Sequence, residues 1–153
     1  MAGSGGMLAR DVIAAAERRG HEIDAPNRVE MDITDPTAID EALEEFRPDA
    51  VINCAAWSDV DGAEDDERGA MAVNDTGAAL LAAGAARIGA SVLYPSSDYV
   101  FDGTKRTPYL EDDMPNPISA YGRSKLGGEV SVAAANPKHF IVRSSWLFGV
   151  GGK

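Results

Sequence analysis

Ala50-Val51-Ile52-Asn53-Cys54 is a short apolar run with β-branched residues. An Ala-rich stretch follows from about Ala70 to Ile88, closed by Gly89, and then comes Ser91-Val92-Leu93-Tyr94. The first and third segments read as buried parallel strands and the second as the helix that joins them. That strand–helix–strand unit decides the fold class.

The same alternation extends in both directions. Upstream, Met7, Leu8, Val12 and Ile13 recur at helical spacing between Gly6 and Arg19, and Gly20 stops them. His21 to Asp24 is a short strand candidate. Asp35-Pro36 starts a helix, because Asp suits an N-cap and Pro the first helical position. That helix turns Ile39, Leu43 and Phe46 inward and ends near Arg47-Pro48. Downstream, after a loop rich in Gly, Pro and Asp, Ala120 to Ala135 makes a helix and His139 to Arg143 a strand. The fold expected is α/β, a doubly wound parallel sheet of Rossmann-like form with helices on both faces.

Both ends read as cut. The first glycines begin at Gly3, where a dinucleotide fold needs a strand already made, and that strand sits mid-sheet. Losing about five buried apolar side chains forfeits roughly 8–15 kcal/mol, as much as a whole domain's stability. The far end, Gly149 to Lys153, stops in a loop with no closing element. Residues 1–153 are therefore expected to form a partial NAD(P)-binding Rossmann domain lacking its first strand and its substrate domain, with little turnover in isolation.

Charge and cysteine usage narrow the partners. The 14 basic and 25 acidic residues give a net charge of −11, which argues against nucleic acid and against an anionic membrane. It does not forbid a phosphate held by helix N-termini and one or two cations. Cys54 is the single cysteine, so no internal disulfide forms, in keeping with a reducing compartment. No run approaches the roughly 18 apolar residues of a membrane span, and the N-terminus lacks signal-peptide character. A cytoplasmic location is expected.

Three motifs carry chemistry. Gly3-Ser4-Gly5-Gly6-Met7-Leu8-Ala9 fits G-x-x-G-x-x-A; such a turn brings backbone close to a pyrophosphate and aims helix N–H groups at it. Alone, it reads equally as a flexible helix start. Tyr121-Gly122-Arg123-Ser124-Lys125 places Tyr and Lys four apart, on one helix face. An ammonium beside a phenol stabilises phenolate and lowers its pKa, so the Tyr could protonate a carbonyl oxygen as hydride arrives. A plain surface pair has the same spacing. Ser96-Ser97-Asp98-Tyr99 follows a strand at its C-terminal end, the edge where open α/β sheets bind ligands. There a Ser hydroxyl could polarise the substrate oxygen, or simply cap the strand.

Taken in order, these stretches resemble a known family. Met31-Asp32-Ile33-Thr34-Asp35, Val51-Ile52-Asn53-Cys54-Ala55-Ala56, Ala72-Val73-Asn74, Ser97-Asp98-Tyr99-Val100-Phe101-Asp102-Gly103, Tyr121 to Lys125 and Ser145-Trp146-Leu147-Phe148-Gly149 are similar to the extended short-chain dehydrogenase/reductases. More narrowly they resemble the dTDP-4-dehydrorhamnose reductase family, along nearly the whole chain. Ser97 stands where that family usually has Thr and keeps the hydroxyl.

The resemblance implies a reductase that moves a hydride from NADPH or NADH to the C4 keto group of dTDP-4-dehydrorhamnose. By match, Ser97, Tyr121 and Lys125 form the catalytic set, and Lys125 also holds the cofactor ribose. Gly3, Gly6, Met7 and Leu8 make the pyrophosphate turn, Asp32 and Ile33 flank the adenine, and Ala55 and Ala56 pass close to the cofactor. Tyr99 and Trp146 face the nucleotide sugar. The family's metal site at a dimer contact draws on residues outside this sequence, so no metal is expected, and a homodimer stays open. NAD selectivity commonly needs an acid at the end of the second strand; here Pro26-Asn27-Arg28 offers none, and Arg28 could pair with a 2′-phosphate, which favours NADPH.

Other groups read blandly. His21 and His139 are expected exposed or capping, Cys54 as a small buried hydrophobe, and Trp57 as pocket wall or sheet packing. The acids from Asp59 to Glu67 read as a solvated loop and helix starts rather than metal ligands. Two further functions fit the fold: a non-catalytic regulatory subunit, and a nucleotide-sugar epimerase or dehydratase. The complete Ser97, Tyr121 and Lys125 set argues against the first. A lone Asp98 after Ser97, where dehydratases carry an acid pair, argues against the second.

Overall fold

A computed structural model describes residues 1–150; the terminal loop expected beyond Val150 lies outside them. Helices α1 (Met7–Glu17) and α2 (Pro36–Phe46) come first, then strand β1 (Ala50–Ile52). Short helices α3 (Val60–Asp65) and α4 (Glu67–Met71) run into a π-helical turn (Ala72–Gly77) and α5 (Ala78–Arg87). Strand β2 (Ser91–Ser97), helix α6 (Ala120–Ala135) and strand β3 (His139–Ser144) complete the order.

The three strands form one parallel sheet in the order β1-β2-β3. Val51 lies beside Val92, and Val92 beside His139. Side chains alternate along β2, so Val92, Tyr94 and Ser96 are buried. That face meets α5 and α6 in one apolar cluster, which Ile39 and Leu43 of α2 extend. Each such buried side chain contributes about 1.5–3 kcal/mol, and the alanines of α5 let the layers approach closely. The opposite face is covered beside β1, where Val12, Ala15 and Ala16 of α1 share a hollow with Ala50 and Ile52. Farther across, Phe140 and Val142 of β3 stay exposed at 62% and 48%. Among the described residues no helix is long and apolar enough to cross a membrane.

Local chemistry sets the helix ends. The Asp35 carboxylate accepts from Thr37 N at 2.9 Å and Pro36 opens α2, as expected. Ser119 caps α6 by accepting from Gly122 N at 3.0 Å, and Glu64 accepts from Ala120 N at 2.7 Å.

Two expectations need correction. His21 to Asp24 forms no strand. A strand needs a ladder partner, and this segment is held instead by hydrogen bonds from His21 N to Ala16 O and from the Met1 amine to the Asp24 carbonyl. Ala2 makes an isolated parallel bridge with Asn53, through Ala2 N to Ile52 O and Cys54 N to Ala2 O, both 3.0 Å. The expected helix from Ala70 to Ile88 is also not one α-helix, because Ala72–Gly77 winds as a π-turn. Asn74 in that turn is 1% exposed and joins three elements. Its carbonyl side chain accepts from Trp57 N, and its amide donates to Trp57 O and to Ser124 Oγ, each at 2.9 Å. Satisfying all three offsets the poorer helical geometry.

Candidate active site

The C-terminal ends of β1 and β2 open into two adjoining hollows of about 510 and 460 Å³. Gly6, Cys54 and Ala56 line both, so together they make one elongated cleft. Every site residue expected from the sequence borders it. Gly3, Arg28, Asp32, Ile33 and Ala55 line the first hollow. Met7, Leu8, Ser97, Tyr99, Tyr121, Lys125 and Trp146 line the second.

The floor between the hollows is the glycine turn. Gly3 has φ +78°, and a Cβ there would fall 2.5 Å from Ala55 N. Only glycine allows the turn to lie this close to the chain after β1. Gly6 then leads into α1 without a side-chain cap, so first-turn N–H groups of an 11-residue helix stay available to an anion.

The first hollow has a charged rim. Asn27 Oδ1 accepts from Val29 N at 2.8 Å and Glu30 Oε2 accepts from Asn27 N at 2.8 Å, a tight turn that holds Arg28 at its crest. Arg28 Nε lies 3.2 Å from Asp32 Oδ2, and the Arg28 side chain is 82% exposed. Thr34, through its N–H and hydroxyl, and then Arg28 hold the Asp32 carboxyl below its ordinary range.

The second hollow gathers the reactive groups. Tyr121 and Lys125 share one face of α6, opposite Ser97 at the end of β2. Lys125 is 3% exposed and donates to Pro95 O at 2.8 Å; burial lowers its pKa to about 8, against the opposing pull of Glu129 and Cys54. Tyr121 departs from the sequence expectation. Burial pushes its phenol up, a hydrogen bond with Ser97 pulls the other way, and Asp98 and Tyr99 add to the rise. The lowering expected from Lys125 is not among these causes; burial is the largest of them. Ser97 Oγ donates to Asp98 Oδ1 at 3.1 Å, and Ser145 Oγ donates to Asp98 Oδ2 at 2.8 Å. Tyr99 meets Tyr121 edge-to-face at 5.5 Å, and Trp146 is 84% exposed.

Several residues at the site were not singled out in the sequence. Asn53 Nδ2 and Ser96 Oγ are buried without a hydrogen-bond partner among the described residues, and both border the second hollow. Strand alternation puts Ser96 on the inner face; no local signal marks its lack of a partner. Cys54 is half-buried beside both hollows, and Trp57 lines the first. His139 Nδ1 lies 2.7 Å from Asn136 O. Asp59 and Asp66 cap short helices, Glu67 clamps Arg123, and no metal-binding cluster occurs among the described residues.

The parallel sheet and the cleft at its C-terminal edge define a Rossmann-like α/β protein. Its sequence matches the RmlD substrate binding domain over residues 1–153, and the chain belongs to that family. It is 44% identical over 151 residues to a dTDP-4-dehydrorhamnose reductase of Streptomyces griseus, covering 98% of this chain and 50% of that protein. A solved dTDP-4-dehydrorhamnose reductase from Clostridium acetobutylicum superposes with TM-score 0.95 at 40% identity, covering 99% of this chain and 54% of that one. The Bacillus anthracis enzyme of the same name, solved in complex with NADP, gives 0.96 at 36% identity, with 99% and 54% covered. The chain thus spans about half the length of the curated relatives it matches. UDP-glucose 4-epimerase from Brucella ovis, with a TM-score of 0.84 at 23% identity, shares the fold.

Proposed function

We propose that residues 1–153 are the cofactor-binding and catalytic part of an NAD(P)-dependent oxidoreductase. It reduces the C4 keto group of dTDP-4-dehydrorhamnose and prefers NADPH. The observation that carries this reading is the meeting of Ser97, Tyr121 and Lys125 around one hollow continuous with the glycine turn. The relatives' names supply the sugar nucleotide and the reaction, and the NADP-bound neighbour supports the cofactor.

The residues present fit a dinucleotide. The Gly3 turn leaves space against Ala55 that a Cβ would fill, and α1 presents an uncapped N-terminus. Arg28 stands at the first hollow without a carboxylate ahead of it in Pro26-Asn27. A bound reduced nicotinamide supplies the hydride. The chain's own groups do the rest. Ser97 hydrogen-bonds the carbonyl oxygen, and the Tyr121 hydroxyl donates the proton that oxygen needs as its charge grows. A phenol whose pKa burial keeps high stays protonated at neutral pH and so is ready to donate. Lys125 holds the cofactor ribose through its ammonium. Tyr99 and Trp146 offer aromatic faces to the sugar nucleotide.

Two readouts test the reading. Titration of the chain with NADPH, followed by dinucleotide fluorescence, should saturate; failure to bind either NADPH or NADH overturns it. Residues 1–153 fused to the second half of the Streptomyces griseus relative should oxidise NADPH when dTDP-4-dehydrorhamnose is added. Tyr121→Phe in the fusion should cut that rate by about 10²–10⁴-fold. Cofactor that is bound but never consumed would point instead to a regulatory subunit or an epimerase.

A further inference from the structure

Tyr94 takes no part in the chemistry described above, yet it lies directly under it. It is the largest of the fully buried side chains among the described residues, at 1% exposure. Its hydroxyl donates to the Asn74 carbonyl at 2.8 Å. Its ring lies 4.1 Å, centroid to nitrogen, from the Lys125 ammonium. The same nitrogen donates to the carbonyl of Pro95, the next residue along β2. Ring face and carbonyl thus approach Lys125 from one strand.

The surroundings are shaped to keep the ring there. Gly128, one turn beyond Lys125 on α6, touches both ends of the tether. A Cβ on it would fall 2.3 Å from the Tyr94 hydroxyl and 2.1 Å from Asn74 O. The π-turn aims Asn74 inward and so presents that carbonyl. A buried ammonium needs compensation for its lost hydration, and an aromatic face gives it where water is excluded.

We propose that Tyr94 is a positioning residue: its buried ring, tethered to Asn74, seats the Lys125 ammonium at the floor of the cleft beside Tyr121. This rests on the role assigned to Lys125 under the proposed function. The seat keeps Lys125 charged and fixed in place against its own burial. Other charged or titratable groups acting on Lys125 are Glu129 on α6 and Cys54 after β1, both of which favour its charged form. Arg143 of β3 takes up much of the Glu129 charge through its ion pair.

The experiment reads Lys125 directly. In protein labelled with ¹⁵N-lysine, the sequence has four lysines, and Lys125→Met assigns the Nζ signal of interest. In the wild type that signal should show an upfield ring-current shift, and it should titrate. Tyr94→Leu should lower the titration midpoint by about one pH unit. Should that variant not fold, Tyr94→Phe and Tyr94→pentafluorophenylalanine keep the shape of the ring while the second reverses its quadrupole. The fluorinated ring should bring the midpoint down relative to Phe by a similar amount. Equal midpoints in that pair, or a wild-type signal without ring-current shift, overturn the proposal. No cofactor or sugar is needed for these readings. A chain that seats Lys125 as described but binds no NADPH refutes the function and leaves the seat standing; the reverse result refutes the seat alone.

Discussion

The Glu129 carboxylate grips the Arg143 guanidinium at two points, Oε1 to Nε at 2.9 Å and Oε2 to Nη2 at 2.6 Å. The pair ties α6, which carries Tyr121 and Lys125, to strand β3. The Glu129 side chain is only 6% exposed and Arg143 24%, so neither is well solvated alone. Arg143→Met should leave a buried carboxylate unpaired and cost about 2–4 kcal/mol in urea unfolding. The double variant Glu129→Leu/Arg143→Met should recover much of that loss. A single variant as stable as the wild type would show the pair to be idle.

The proposed preference for NADPH rests on Arg28. Its guanidinium stands at the rim of the first hollow, paired with Asp32 at the solvent edge. Arg28→Glu should weaken NADPH binding by roughly tenfold or more, since one charge-assisted contact is lost and a repulsion gained. NADH, without the 2′-phosphate, should change far less. Equal weakening of both, measured by fluorescence titration, would remove Arg28 from the selectivity.

Lys125 makes stability depend on pH in a definite direction. Burial brings its pKa from 10.5 down to about 8. Between those values the unfolded chain holds a proton that the folded chain has released, so stability rises with pH. The penalty for burying the ammonium is full below about pH 8 and vanishes above the unfolded value. Two and a half units correspond to roughly 3 kcal/mol. Lys125→Met should therefore be the more stable protein at pH 7 by a few kcal/mol. Urea midpoints at pH 7 and pH 10 check this; parallel curves for the two proteins would contradict it.

Gly128→Ala offers a steric test of the contact between α6 and the sheet. The new methyl would press on a backbone carbonyl and on a hydroxyl held by that carbonyl, neither free to yield. The expected cost is about 1–3 kcal/mol, read as a lowered melting temperature. Gly5→Ala, with nothing within 4 Å of the added carbon, serves as the neutral control.

How much of this the sequence foretold depends on how local each signal is. β2, α6 and β3 lie where the alternation of apolar runs and helix-forming stretches placed them, because each runs over several residues. The site residues converge on one cleft because their motifs sit at strand ends and helix starts, which the fold brings together. His21 to Asp24 misled, since a short local stretch says nothing about whether a ladder partner exists. The direction of the Tyr121 shift is set first by burial, which motif spacing does not report. Spacing puts Lys125 on the right face, but the ammonium's actual partner is a carbonyl on a strand 30 residues away. Tyr94 and Asn74 were not singled out because their roles exist only in three dimensions.

The π-turn of Ala72–Gly77 works as a phase offset between α4 and α5. Each residue in an α-helix advances about 100° around the axis and 1.5 Å along it. Winding the same six residues as plain α-helix would swing everything before them by about that angle relative to α5. Trp57, fastened to Asn74 on both sides of the amide, would lose its anchor, and the wall of the first hollow would turn with it. Asn74→Ala, which removes the bonds that hold the wide turn in place, should therefore do more harm than the loss of one buried amide suggests, although every hydrophobic residue would remain.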